Sequence, residues 1–334
     1  MVNDITDSRP TERLLEFQQS SVISNLEKSL NSTDLWRFIK RAINKVKRIL
    51  KRIAWVKSGV DWFYASRANR YRKTLSKLDE EDQLILETLQ KTGTISIPIE
   101  DLELQSTEPF LQKTMELASQ LKHTPSEGKL FMDIEKRKFR DCPEIFLWGI
   151  ERRLFNIVEH YIGLPIYYLG YAIRRDIVNQ DPGSGTLRSW HLDVEDRTVI
   201  KIIIYLNDVG VDGGHYEYIS KDLAREAAKK LKYDTGFVDD QTMMNVVPKK
   251  EWSNCMGKKG TVIISATSDV FHRAKPPEKD DRFSISFCYT SNKPTYHWNA
   301  EDFYPSNLSE LSKQLSQKQR DALVNRNKFL GIRI

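Results

Sequence analysis

Residues 189–220 read SWHLDVEDRTVIKIIIYLNDVGVDGGHYEYIS, and this stretch decides the fold class. Its middle, 199–206, is a β-branched and aromatic run, as strands are. Asp212-Gly213-Gly214 is a turn signal, and Tyr216-Glu217-Tyr218-Ile219 resumes the strand character. Just ahead stands His191-Leu192-Asp193. If that triplet closes a strand, the two-residue period puts imidazole and carboxylate on one side and Leu192 on the other. One strand end would then offer a cation two adjacent ligands.

Working outward, 166–173, 261–265 and 283–289 repeat the strand texture, with Gly-, Pro- and Asp-rich turns between the runs. Short strands without regular intervening helices predict an antiparallel sandwich or barrel. A polar, partly helical insertion is expected at about 221–259. Upstream, the apolar spacing predicts helices opening at Asp79 and stopped by Gly93, at 108–121, and at about 144–161 closed by Gly163. A short strand, Thr94-Ile95-Ser96-Ile97, lies among them. The tail is expected to carry a helix at 308–326. The fold class expected is α+β with a mainly β core, flanking helices and a basic helical N-terminal extension. The boundaries read are 1–78 for the extension, 79–291 for the main domain with its core at about 166–290, and 292–334 for the tail.

The charge is unevenly spread. Lys+Arg 52 against Asp+Glu 46 gives +6. Yet 37–73 alone holds 13 basic residues and a single acid, Asp61, which leaves the remainder acidic. Leu35, Ile39, Ala42, Val46, Ile49, Ile53 and Val56 form one stripe of this segment, with Arg37, Arg41, Lys45, Arg48 and Arg52 on another. Such a helix either packs on the main domain or meets an anionic surface. On the second reading an anionic membrane or an acidic carrier protein is the partner expected of residues 35–57, and the sequence leaves both readings open. No nucleic-acid footprint is expected from the rest. A mean hydropathy of −0.53 and the lack of a long apolar run exclude a spanning helix. The first residues show no secretory pattern, and the three cysteines are scattered. The expected location is cytoplasmic, peripheral at a membrane if the basic helix docks there.

His272 follows the 261–265 run and is the candidate third ligand. Two histidines and a carboxylate on one face of a cation leave positions open for substrates, which suits non-haem Fe(II). Arg282 comes ten residues after His272, with Ser284 two further on. A guanidinium fork beside a hydroxyl is fit to hold a carboxylate. By alternation Tyr171, Trp190, Lys201 and Tyr205 are candidate pocket residues, with Arg174 or Arg175 and His215. Lys201 is the odd residue of an apolar strand, and a buried lysine calls for a carboxylate partner.

Together, Trp190-His191-Leu192-Asp193, 205–209, 213–219, Phe271-His272-Arg273 and Arg282-Phe283-Ser284 resemble the phytanoyl-CoA dioxygenase-like Fe(II)/2-oxoglutarate-dependent oxygenases. The resemblance covers about 84–291. It implies a double-stranded β-helix, or jelly-roll, and Fe(II) held by His191, Asp193 and His272. It implies 2-oxoglutarate as cosubstrate, its far carboxylate on Arg282 helped by Ser284, with O2 as oxidant. The implied activity is oxidoreductase: a dioxygenase that hydroxylates an unactivated C–H of a small-molecule, lipid-linked or carrier-tethered acyl substrate. Desaturation or cyclisation on the same scaffold is the alternative. Halogenating members of this branch carry a small residue in place of the carboxylate, and here Asp193 is present. A non-catalytic jelly-roll binding protein is the alternative from another class.

Overall fold

The computed structural model describes residues 54–179, 183, 185–295 and 303–324. Most of the basic segment read at 35–57 lies outside them. The chain divides into two compact units, 1–67 and 68–334. The first described helix, α1, is Ala54–Arg72. Among the described residues no helix is long and apolar enough to cross a membrane.

In the second unit, α2 (Glu80–Thr92) starts where Asp79 accepts the Asp82 amide at 2.8 Å, with Glu80, Glu81 and Asp82 in its first turn. It ends at Gly93, whose φ of 84° is left-handed. β1 (Thr94–Pro98) follows, then α3 (Thr107–Lys122) and β2 (Phe131–Asp133). The helix read at 144–161 is two helices, α4 (Pro143–Gly149) and α5 (Arg152–Ile162). The break has a physical cause: the Tyr289 hydroxyl donates to the Gly149 carbonyl at 2.8 Å, capturing an acceptor of the helical ladder. A side chain at Gly149 would also collide with the Tyr168 hydroxyl.

The strands then run β3 (Ile166–Asp176), β4 (Ile200–Tyr205) and β5 (Tyr216–Ile219). The insertion supplies α6 (Lys221–Leu231), α7 (Asp240–Met244) and also β6 (Trp252–Cys255), a polar strand that pairs with β5. β7 (Thr261–Ser265), β8 (His272–Ala274) and β9 (Arg282–Ser291) complete the sheets. The tail forms α8 (Leu308–Leu311) and α9 (Gln317–Ala322) instead of one helix, because Ser316 caps a new start with Gln319.

Two sheets result: β1-β7-β4-β9-β3-β2 and β6-β5-β8, antiparallel throughout. They face one another. The Tyr205 hydroxyl accepts the Tyr216 amide and donates to the Cys255 carbonyl, and the Tyr216 and Ser265 hydroxyls pair at 2.8 Å. This is the jelly-roll. The outer face of the larger sheet is its apolar side, where Phe287 packs on Trp148 and Phe110, and Tyr289 on Phe155. The inner face is mixed. Register aligns Ser265, Lys201, Cys288 and Gly170 in one row, and Ile263, Ile203, Ser286 and Ala172 in the next. Tyr205, Ser284 and Arg174 follow, and then Arg282 and Asp176.

Candidate metal centre

The H-x-D does not lie in a strand. His191 makes one antiparallel bridge, exchanging both backbone hydrogen bonds with His272 at 3.0 and 3.1 Å. Trp190 does the same with Val238, and the chain then turns away, so the Asp193 amide donates to the Thr267 carbonyl at 3.0 Å. The bridge sets two residues far apart in sequence side by side, with ring centroids 4.3 Å apart.

Both imidazoles are buried and fixed from behind. His191 Nδ1 lies 2.9 Å from the Ser189 carbonyl and His272 Nδ1 3.2 Å from that of Val270. A carbonyl only accepts, so both Nδ1 carry the proton and both Nε2 present lone pairs. Each Nε2 is 3.8 Å from Asp193 Oδ1. The three ligand atoms lie within 4.8 Å of one another, and His191 Nε2 has no hydrogen-bond partner among the described residues. Burial lowers the His191 pKa, and burial with the neighbouring His191 brings that of His272 down to about 3. Burial opposes the charge of Asp193, but Lys201 and the two imidazoles outweigh it and hold the carboxyl below its ordinary range. Two neutral imidazoles and a carboxylate are the protonation states that a divalent cation requires.

Lys201 reaches the same cluster from β4. Its Nζ is 2.6 Å from Asp193 Oδ2, the oxygen away from the histidines. Arg282 lies further along the inner face. Its guanidinium donates to the Gly214 carbonyl and, at 2.7 Å, to Asp176 Oδ2, while its buried Nε–H has no acceptor among the described residues. An unsatisfied N–H on a buried cation is costly, and a carboxylate oxygen would relieve it. Gly214 has a φ of +69°, and a Cβ there would meet the Lys275 carbonyl and Pro277 at 2.7–2.8 Å, so this wall admits only glycine. Ser284 is buried on the same face, across from Tyr205 and Arg174.

Of the other candidate pocket residues, Arg174 and Tyr205 share the inner face with Ser284, and the rest are engaged away from it. Tyr171 points to the outer face, against Phe139 and Phe287, because inner-facing positions of β3 alternate with it. Arg175 is outward too, donating to Asp281 and to the Leu121 and Thr124 carbonyls. Arg174 faces inward but is held by Asp133 through two hydrogen bonds and lies over the Phe131 ring. Trp190 is fully buried beside Trp252, with Arg273 over both rings, and donates to Asp240. Tyr205 ties the two sheets together as described. His215 contacts Asn254 Oδ1 at 3.1 Å and Glu217 at 3.4 Å, in a network shared with Arg273.

One further residue flanks the centre without a local sequence signal. Phe237 packs its ring 5.3 Å from that of His191 and stays 46% exposed. Asp176 could have been found only through the β3–β9 register, which sets it opposite Arg282.

Comparison with known proteins finds solved non-haem α-ketoglutarate-dependent enzymes among the structural neighbours. HygX from Streptomyces hygroscopicus, with nickel and 2-oxoglutarate bound, is 14% identical, covering 64% of this chain and 88% of its own, at a TM-score of 0.41. The non-haem α-ketoglutarate-dependent carbocyclase SnoK from nogalamycin biosynthesis is 17% identical, covering 73% and 92%, at 0.44. The epimerase SnoN, in complex with Fe3+, α-ketoglutarate and nogalamycin RO, is 14% identical, covering 65% and 86%, at 0.44. No family model and no curated protein matches the chain.

Proposed function

We propose that this chain is a non-haem Fe(II)- and 2-oxoglutarate-dependent oxygenase, with His191, Asp193 and His272 as iron ligands. The observation that carries the reading is the convergence of two lone-pair Nε2 atoms and one carboxylate oxygen, within 4.8 Å, in a buried site. Two imidazoles and one carboxylate suit Fe(II) and leave positions for small ligands. When bound, iron would supply the redox chemistry by which O2 converts 2-oxoglutarate to succinate and carbon dioxide and oxidises a substrate C–H bond.

The protein's own residues bind, orient and exclude water. Arg282 receives the far carboxylate of 2-oxoglutarate on its unsatisfied Nε–H, held from behind by Asp176 and the Gly214 carbonyl. Ser284, two residues along the same strand face, is the second donor. The Ser189 and Val270 carbonyls keep the imidazoles in the ligating tautomer. Phe237, half exposed against the His191 ring, offers an apolar surface beside the centre for the hydrocarbon part of a small molecule. Hydroxylation is the reaction proposed, with desaturation or cyclisation as outcomes of the same hydrogen abstraction.

The test is anaerobic titration of the metal-free protein with Fe(II) and 2-oxoglutarate, following the weak visible charge-transfer band of the chelate. Wild type is expected to show it. His191→Ala should lose it outright, and Arg282→Met should need about tenfold or more 2-oxoglutarate, the loss of one charge-assisted contact. Iron-dependent release of carbon dioxide from 2-oxoglutarate separates this enzyme from a jelly-roll binding protein. A wild-type protein that binds neither iron nor 2-oxoglutarate would sink the proposal.

A further inference from the structure

Asp193 has two carboxylate oxygens, and the fold treats them differently. Oδ1 is equidistant, at 3.8 Å, from the Nε2 atoms of His191 and His272. Oδ2 faces Lys201 Nζ at 2.6 Å, an ion pair that lies outside hydrogen-bond geometry, and this buried oxygen has no hydrogen-bond partner among the described residues. Lys201 is no surface lysine that swung inward. It sits mid-strand in β4, paired through the ladder with Ser265 on one side and Cys288 on the other, on the inner face of the larger sheet. Its neighbours Ile200 and Ile202 are fully buried on the opposite face, so alternation aims its side chain at the centre whatever else happens. The other cations of this inner face are bound to other acids, Arg174 to Asp133 and Arg282 to Asp176. Lys201 alone among them meets a ligand of the proposed metal.

We propose that Lys201 is a positioning residue that ties up Asp193 Oδ2 and so keeps Asp193 a one-oxygen ligand. This rests on the metal-centre reading above and deepens it. A carboxylate free to rotate can give a cation both oxygens. Two imidazole nitrogens and one oxygen leave three positions on a six-coordinate ion, and a second carboxylate oxygen would take one of them. A chelating 2-oxo acid needs two and dioxygen a third. By occupying Oδ2, Lys201 preserves the vacancy that the chemistry requires. It also places a positive charge close to the ion, so its role is not to tighten metal binding. Its removal relieves a repulsion while it frees the carboxylate.

That combination separates positioning from a merely structural ion pair. The experiment loads wild type, Lys201→Met and Lys201→Gln with Co(II), whose visible d–d bands follow the number and arrangement of its ligands, and then titrates 2-oxoglutarate under argon. Lys201→Met should bind one Co(II) at least as tightly as wild type, with a changed d–d spectrum, and should bind 2-oxoglutarate about tenfold more weakly or worse. Lys201→Gln keeps a donor without the charge, on a side chain one bond shorter, and should restore the wild-type spectrum only in part. If Lys201→Met fails to fold, the Gln variant carries the test: its d–d spectrum should shift and its 2-oxoglutarate affinity should fall about threefold or more, and wild-type values of both would overturn the proposal. Wild-type spectra and 2-oxoglutarate affinities in both variants would overturn the proposal. So would weaker Co(II) binding with an unchanged spectrum. If wild type and His191→Ala alike bind no Co(II), the metal-centre reading itself has failed, which is a different result from losing Lys201's role.

Discussion

Burial governs the side-chain chemistry of this protein, and the three thiols show it as clearly as the histidines. Cys255 is buried, and burial pushes its thiol up to about 12. Burial raises the Cys142 thiol too, and raises that of Cys288 further still, with Lys201 opposing. The thiolate is the nucleophile, and at a pKa of about 12 it makes up roughly one part in ten thousand at pH 8. Native protein at pH 8 should therefore react with a disulfide reagent such as DTNB at far less than one equivalent over minutes. After denaturation all three cysteines should react. Rapid labelling of one native thiol would show that its surroundings activate it. At this same scale the candidate ligands were legible in the sequence, because H-x-D, a later histidine and an arginine ten residues on form a distinctive spacing. The roles of Tyr171 and Trp190 were not. Trp190 adjoins His191 and Tyr171 sits on an inner-sheet strand, but local packing and strand alternation send their rings elsewhere.

Elements hold the centre in place through a few contacts that bear on folding more than on chemistry. Gly93 ends α2 with φ +84°, and a Cβ there would lie 2.3 Å from Val270 Cγ1, two residues before His272. Gly93→Ala combines a left-handed strain with that collision. It should cost about 1–3 kcal/mol in a urea melt. A loss well under 1 kcal/mol would mean that the α2–β1 junction yields more readily than its packing indicates. Helix and strand types were readable from periodicity wherever an element had a face to bury, as in α2, α3, β4 and β9. Breaks and short polar strands were not. The split between α4 and α5 depends on a hydroxyl arriving from β9, and β6 is a strand only because β5 lies beside it.

For the whole molecule, the centre is a clasp. His191 and Asp193 come from a loop, His272 from β8, and the inner face of β4 brings Lys201 to them. A cation that binds this arrangement and not the unfolded chain stabilises the fold by about 2.7 kcal/mol at a hundredfold excess over its Kd. For a unit of this size the midpoint should rise by roughly 5–10 °C on adding Mn(II) or Co(II). A chelator should reverse the rise, and His191→Ala should not show it. Equal shifts in wild type and His191→Ala would place the effect at some other site. By itself the sequence determined the strand-rich core, the helices before it and the residue types of a two-histidine, one-carboxylate centre, because those depend on local period and on chemistry carried by single side chains. Only the tertiary structure decided that His191 and His272 pair as backbone neighbours, that Asp176 backs Arg282, and that Lys201 takes one oxygen of Asp193. Each of these is a contact between segments far apart in the chain, fixed by sheet register and burial, and no local pattern encodes it.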